Sequence, residues 1–269
     1  LNSNGEFLNA QDGAEILDCV LKEEFDFVDI DNIGKVVCRT SYDVEHIDAV
    51  LNLPLVDVEL VKKQNYKVVV DAVDSVGGIV IPMLLERMGV EVVKLYCEPT
   101  GNFSHNPEPL PENLTEIRKV VKAENADLGV IVDPDVDRLA LVCENGEMFG
   151  EEYTLVAVAD YVLSNTPGNT VSNLSSSRAL KDVTEAHGCQ YNASAVGEVN
   201  VTAKMKETNA VIGGEEPYTF SKTSGPDWLN VSDEGVISGT PDVIGANSPF
   251  VSTTAHFKQS LFPPEAHIF

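Results

Sequence analysis

The chain has 269 residues, 43% of them hydrophobic, and a formal net charge of −25. That length can bury more than one core, and the composition is that of a globular protein. The charge argues against nucleic acid or an anionic membrane as partner, and the longest apolar runs are far too short for a membrane span. The five cysteines are scattered and form no C-x-x-C pair. With no signal-peptide pattern at the start, they fit a reduced cytoplasmic setting. The chain opens at Leu1 and its first methionine is Met83, which reads as a piece or processed product of something longer.

Residues 1–40 are acidic and weakly patterned, with one candidate helix over Glu15–Lys22. From Tyr66 an alternation sets in. Lys67–Ala72 reads as a strand, Gly78–Met88 as a helix, Val90–Cys97 as a strand, Leu114–Glu124 as a helix and Leu128–Asp133 as a strand. Leu139–Cys143 is a further strand-like run. A second set follows, with helices over Glu151–Leu163, Arg178–His187 and Val199–Glu207 and strands over Thr170–Leu174, Tyr191–Val196 and Ala210–Gly213. Strands alternating with helices of this length predict βαβ units. The expected fold is therefore α/β, two consecutive βαβ-type domains with mixed, largely parallel sheets and a boundary near Phe149. After Glu216 arginine is absent and Ser, Thr, Gly and Pro dominate. That composition predicts a short β-rich segment, with strands in Pro226–Val231 and Gly235–Pro241.

Asp133, Asp135 and Asp137 alternate with Pro134 and Val136 directly after the apolar run Leu128–Val132, and Arg138 follows them. Such a run can be an ordinary solvated turn. It also matches four positions of an EF-hand loop, with Glu144 at the twelfth. The EF-hand fails at its sixth position, where Arg138 replaces the glycine of the sharp turn, and its flanks read as strands. The other reading is a site for a hard divalent cation, Mg²⁺ above all, because three crowded carboxylates repel one another until a cation joins them. An arginine beside them suits an anionic ligand.

Other residues carry two readings each. His105 is either a structural histidine or one facing a cleft. Arg178, after Ser175-Ser176-Ser177, is either a surface arginine or a phosphate contact beside a helix N-terminus. Glu198 suits the first turn of a helix, and Lys204 and Lys206 a solvated face. Gly77-Gly78 follows a strand without a Walker or G-x-G-x-x-G pattern, so it predicts tight strand-to-helix packing, not a phosphate loop.

Four blocks occur together and in order: Val70-Asp71-Ala72-Val73-Asp74-Ser75-Val76-Gly77-Gly78, Gly101–Leu110, Asp133–Arg138 and Gly213-Gly214-Glu215. With them the chain resembles the α-D-phosphohexomutases, nearest their phosphoglucosamine mutase branch, over Leu1–Glu215. The resemblance implies a remnant of a first mutase domain over 1–40, a second domain with the magnesium loop over 41–149 and a partial third over 150–216. It implies that Asp133, Asp135 and Asp137 hold Mg²⁺ and that Arg138 steadies a phosphate. His105, Arg178 and Glu215 would face a hexose phosphate, glucosamine phosphate first. The family's phosphoserine loop matches no stretch of this sequence, and neither Ser3 nor Ser104 stands in its context. The chain is therefore expected to be inactive alone, as a binding remnant of an intramolecular phosphoryl-transfer enzyme. Residues 217–269 resemble bacterial Ig-like repeats through P-x-W-L and G-x-I-S-G-T-P. That suggests a chimera, or in a further reading a surface interaction module.

Overall fold

The structure is a computed structural model and describes residues 2–3, 5–37, 42–214, 230–231 and 237–238. Two compact units divide the chain, residues 1–216 and 217–269. Of the second unit, the described part is an antiparallel pair, β8 (Asn230–Val231) and β9 (Ile237–Ser238). The rest of the β-rich segment and Glu215 lie outside the described residues. Among the described residues, no helix is long and apolar enough to cross a membrane.

Helix α1 (Ala10–Leu21) starts earlier than the apolar pattern suggests, because Asn9 caps it. The Asn9 side chain accepts from the N–H groups of Gln11 and Asp12, while Asp12 reaches back to the Asn9 N–H, a reciprocal cap. Helices α2 (Tyr42–Leu51) and α3 (Val58–Gln64) follow.

The first sheet contains β1 (Lys67–Asp71), β2 (Glu91–Leu95), β3 (Leu128–Val132) and β4 (Leu139–Cys143), in the order β2-β1-β3-β4. β1 is parallel to both β2 and β3, and β4 closes the edge antiparallel to β3. Helix α4 (Gly77–Arg87) joins β1 to β2, and α5 (Thr115–Glu124) joins β2 to β3. Alternate residues of one strand feed opposite cores, as the twofold period of a strand requires. Val69 and Ile131 pack with Ile117 and Val121 of α5, whereas Val68 and Val70 pack with Ile81 and Leu85 of α4. Gly78 makes the second arrangement possible: a Cβ there would stand 2.2 Å from the Cys97 carbonyl oxygen. The glycine pair does serve tight packing.

A second sheet repeats the logic. Helix α6 (Glu151–Asn165) leads to β5 (Asn169–Asn173), followed by α7 (Ala179–Ala186), β6 (Tyr191–Ser194), α8 (Glu198–Thr208) and β7 (Ala210–Gly214). Its order is β6-β5-β7, all parallel. The chain is therefore α/β with one mixed and one parallel sheet. In each sheet the first strand is central and its two neighbours are reached by connections leading to opposite sides. In the first sheet that reversal lies between β1 and β3, where open α/β sheets bind ligands beyond the strands' carboxyl ends.

Candidate metal and phosphate site

Three loops gather at the carboxyl edge of the first sheet: 72–76 after β1, 96–114 after β2 and 133–138 between β3 and β4. The last carries the acids. One carboxylate oxygen from each of Asp133, Asp135 and Asp137 lies within 4.8 Å of the others. Asp133 is buried at 5% exposure, whereas Asp135 and Asp137 face solvent. The Asp133 carboxylate accepts the Arg138 N–H at 3.1 Å, and its carbonyl accepts the Val136 N–H at 3.2 Å. Burial pushes the Asp133 carboxyl above its ordinary value; the Arg138 N–H opposes this and Asp137 adds to it. Three oxygen donors at this spacing, one of them half-desolvated and repelled by its neighbour, match what a hard cation such as Mg²⁺ takes.

Arg138 is half-buried. Its guanidinium pairs with Glu108 through Nη1, while Nε stays 3.9 Å from Asp133 and 3.8 Å from Asp137. The loop is tied sideways as well, because the Ser75 hydroxyl donates to the Pro134 carbonyl at 2.8 Å. Asp74 fastens the other two loops together: its carboxylate accepts the Glu98 N–H at 3.3 Å and the Ser104 hydroxyl.

His105 lies in the same cluster. Its Nε2 is 3.1 and 3.2 Å from the two oxygens of Asp71, which ends β1 at 1% exposure. Burial raises the Asp71 carboxyl above its ordinary value; the Val73 N–H and His105 pull it down, and Asp74 pushes it up. The neighbouring Cys97 thiol is pushed up to about 11, chiefly by burial and then by the Asp71 charge.

Backbone strain concentrates here. Val73, Asp74, Tyr96 and Val136 have positive φ angles of 48°, 55°, 51° and 64°, one or more in each of the three loops. Left-handed backbone is disfavoured for any residue with a Cβ and most of all for a β-branched one. Such residues persist where surrounding contacts over-determine them, a pattern common at functional sites.

The remaining sequence candidates fall elsewhere. Arg178 stands at the start of α7 on the carboxyl side of β5, exposed, with its guanidinium donating to Asp182 at 2.9 Å. Next to it, Asn173 accepts from Ser175 and Ser176. Glu198 begins α8, and Lys204 and Lys206 pair with Glu207 and Glu6 on the surface. Asp71, Asp74, Ser75 and Glu108 lie in the quoted sequence blocks, but sequence reasoning gives none of them a role. The usable signal is an acid ending an apolar strand run, which marks Asp71 but says nothing of its partner.

A family model described as phosphoglucomutase/phosphomannomutase, alpha/beta/alpha domain II, matches residues 44–146. Its domain III counterpart matches residues 150–238, running past Glu215, where the quoted sequence blocks end. A phosphoglucomutase/phosphomannomutase of Thermococcus kodakarensis is 35% identical over 218 residues, 80% of this chain and 47% of that protein. A probable phosphoglucosamine mutase of Methanopyrus kandleri is 31% identical over 221 residues, 81% of this chain and 48% of that protein. The chain thus spans about half the length of the curated relatives it matches. A crystal structure of a phosphoglucomutase/phosphomannomutase family protein from Burkholderia thailandensis shares the fold at 24% identity. Its TM-score is 0.62, and the match covers 87% of this chain and 45% of that one. With two successive domain models covering most of its length, the chain belongs to the phosphoglucomutase/phosphomannomutase family, the α-D-phosphohexomutases.

Proposed function

We propose that this chain supplies the magnesium-binding and sugar-phosphate-facing part of a phosphohexomutase, an isomerase that moves a phosphoryl group within a hexose phosphate. The observation that carries the reading is the meeting of three carboxylates within 4.8 Å beside the Arg138 guanidinium. Asp133, Asp135 and Asp137 would hold Mg²⁺, which when bound neutralises charge building on a transferring phosphoryl group. Arg138 would contact the phosphate, exchanging Glu108 for it, as the fork of a guanidinium suits either oxyanion. His105 would border the same edge. Arg178 and Glu215 would face the sugar. Glucosamine phosphate is the favoured substrate on the blocks shared with the phosphoglucosamine mutase branch.

The phosphoryl-carrying serine is assigned to no residue here. Ser75 is committed to the Pro134 carbonyl and Ser104 to Asp74. Assayed as the 269-residue polypeptide alone, the chain is therefore expected to bind Mg²⁺ and hexose phosphate without turnover. A coupled mutase assay and a thermal shift test both halves. The expected result is no turnover and a melting temperature that rises with millimolar Mg²⁺ in the wild type but not in Asp133→Asn. Turnover abolished by Asp135→Asn would overturn the inactivity, and an absent Mg²⁺ response would overturn the metal assignment.

A further inference from the structure

Asp71 and His105 sit at the centre of the loop cluster without any place in the metal set. The His105 ring has an acceptor at each nitrogen: the Asp71 carboxylate at Nε2, and the Asn106 carbonyl oxygen 2.7 Å from Nδ1. A neutral imidazole carries one N–H and can serve one of the two. Both Asp71 oxygens lie within reach of Nε2, and one also accepts the Val73 N–H at 3.1 Å, so the acid acts as acceptor on every side. Tyr96 packs edge-on against the ring with centroids 5.7 Å apart. Among the described residues, Asp74 and the Cys97 thiol also interact electrostatically with Asp71.

The position of the ring is passed along the loop. The Asn106 side chain accepts the Glu108 N–H at 3.1 Å, and the Glu108 carboxylate pairs with Arg138. The other carboxylates near that guanidinium are Asp133 and Asp137, at 3.9 and 3.8 Å. A guanidinium released by Glu108 would close onto them and compete with a cation for the same oxygens.

We propose that Asp71 and His105 form a hydrogen-bonded latch that seats Glu108 against Arg138 and keeps the guanidinium off the metal-binding acids. They are positioning residues, and the proposal rests on reading 133–138 as a metal loop.

Histidine side-chain ¹⁵N spectra and Mg²⁺ calorimetry on the full chain test it. The His105 ring-nitrogen signals, identified by their loss in His105→Ala, should shift in Asp71→Asn, which changes the partner of Nε2. His105→Ala and Glu108→Gln should each weaken Mg²⁺ binding roughly tenfold, a usual size for a group acting through a ligand's neighbour. The double variant should lose no more than either, since both act along one path. Unchanged His105 signals in Asp71→Asn, unchanged Mg²⁺ affinity in Glu108→Gln, or additive losses would overturn the latch. A wild type that binds no Mg²⁺ at all would instead overturn the metal reading beneath it.

Discussion

The hydroxyl of Ser75 donates to the carbonyl oxygen of Pro134 at 2.8 Å, joining the turn after β1 to the acidic loop after β3 across the point where the strand order reverses. That bond holds the loop near its start, at Pro134, whereas Arg138 stands at its end. Ser75→Ala should cost about 1 kcal/mol of stability, the usual net value of a part-buried hydrogen bond. It should also weaken Mg²⁺ binding more than an equally destabilising change far from the loop. Denaturant unfolding and calorimetry on the same variant separate the two effects.

Val136 sits between two of the acids at a φ of 64°, a conformation its branched side chain resists. Val136→Gly should relieve that strain. Set against the extra freedom glycine gains in the unfolded chain, the net effect should be a stabilisation on the order of 1 kcal/mol. A fall in melting temperature would show that the valine methyl groups resting near Gly77 matter more than the backbone angle.

At Gly78 the opposite holds. A methyl group would meet backbone, 2.2 Å from the Cys97 carbonyl oxygen and 2.6 Å from its Cα, and backbone cannot rotate aside. Gly78→Ala should destabilise the first sheet by several kcal/mol, about 3 as a central figure, because α4 must lift from β2. Limited proteolysis would register the loosening.

The pH dependence follows from Asp71 and Asp133, whose carboxyls titrate above their ordinary 3.8 in the folded protein, chiefly through burial. Between that value and their raised ones the folded chain holds more protons than the unfolded chain, so these two groups withdraw stability as pH rises through the window. At neutral pH without metal, Asp133→Asn should therefore melt higher than the wild type, and the gap should close below the ordinary carboxyl range. Added Mg²⁺ should reverse the order. A variant less stable than the wild type at neutral pH without metal would refute the burial argument.

Much of this architecture is legible in the sequence, and the reasons for the rest are physical. β3 and β4 flank Asp133–Arg138 where the apolar runs place them, since a buried strand must be continuously apolar. The start of α1 is not marked by apolar spacing but by the Asn9–Asp12 cap, a shorter-range signal. Helices α2 and α3 escape the periodicity because they are short and bury little; Ile47 is the buried residue of α2, and α3 has none. The three acids announce themselves by type and spacing. Their supports do not: the pairing of Asp71 with His105 spans 34 positions and that of Glu108 with Arg138 spans 30, and both exist only once the sheet has set the loops side by side.

The antiparallel turn of β4 has one more consequence. Val132 and Leu139 are directly opposed in the ladder, so the six residues between them leave and re-enter the sheet at neighbouring points. The entropy of closing that loop is spent when the strands pair, long before any ion arrives. A cation entering such a loop meets ligands on a span whose ends are already fixed, and it need order only the side chains of Asp135 and Asp137.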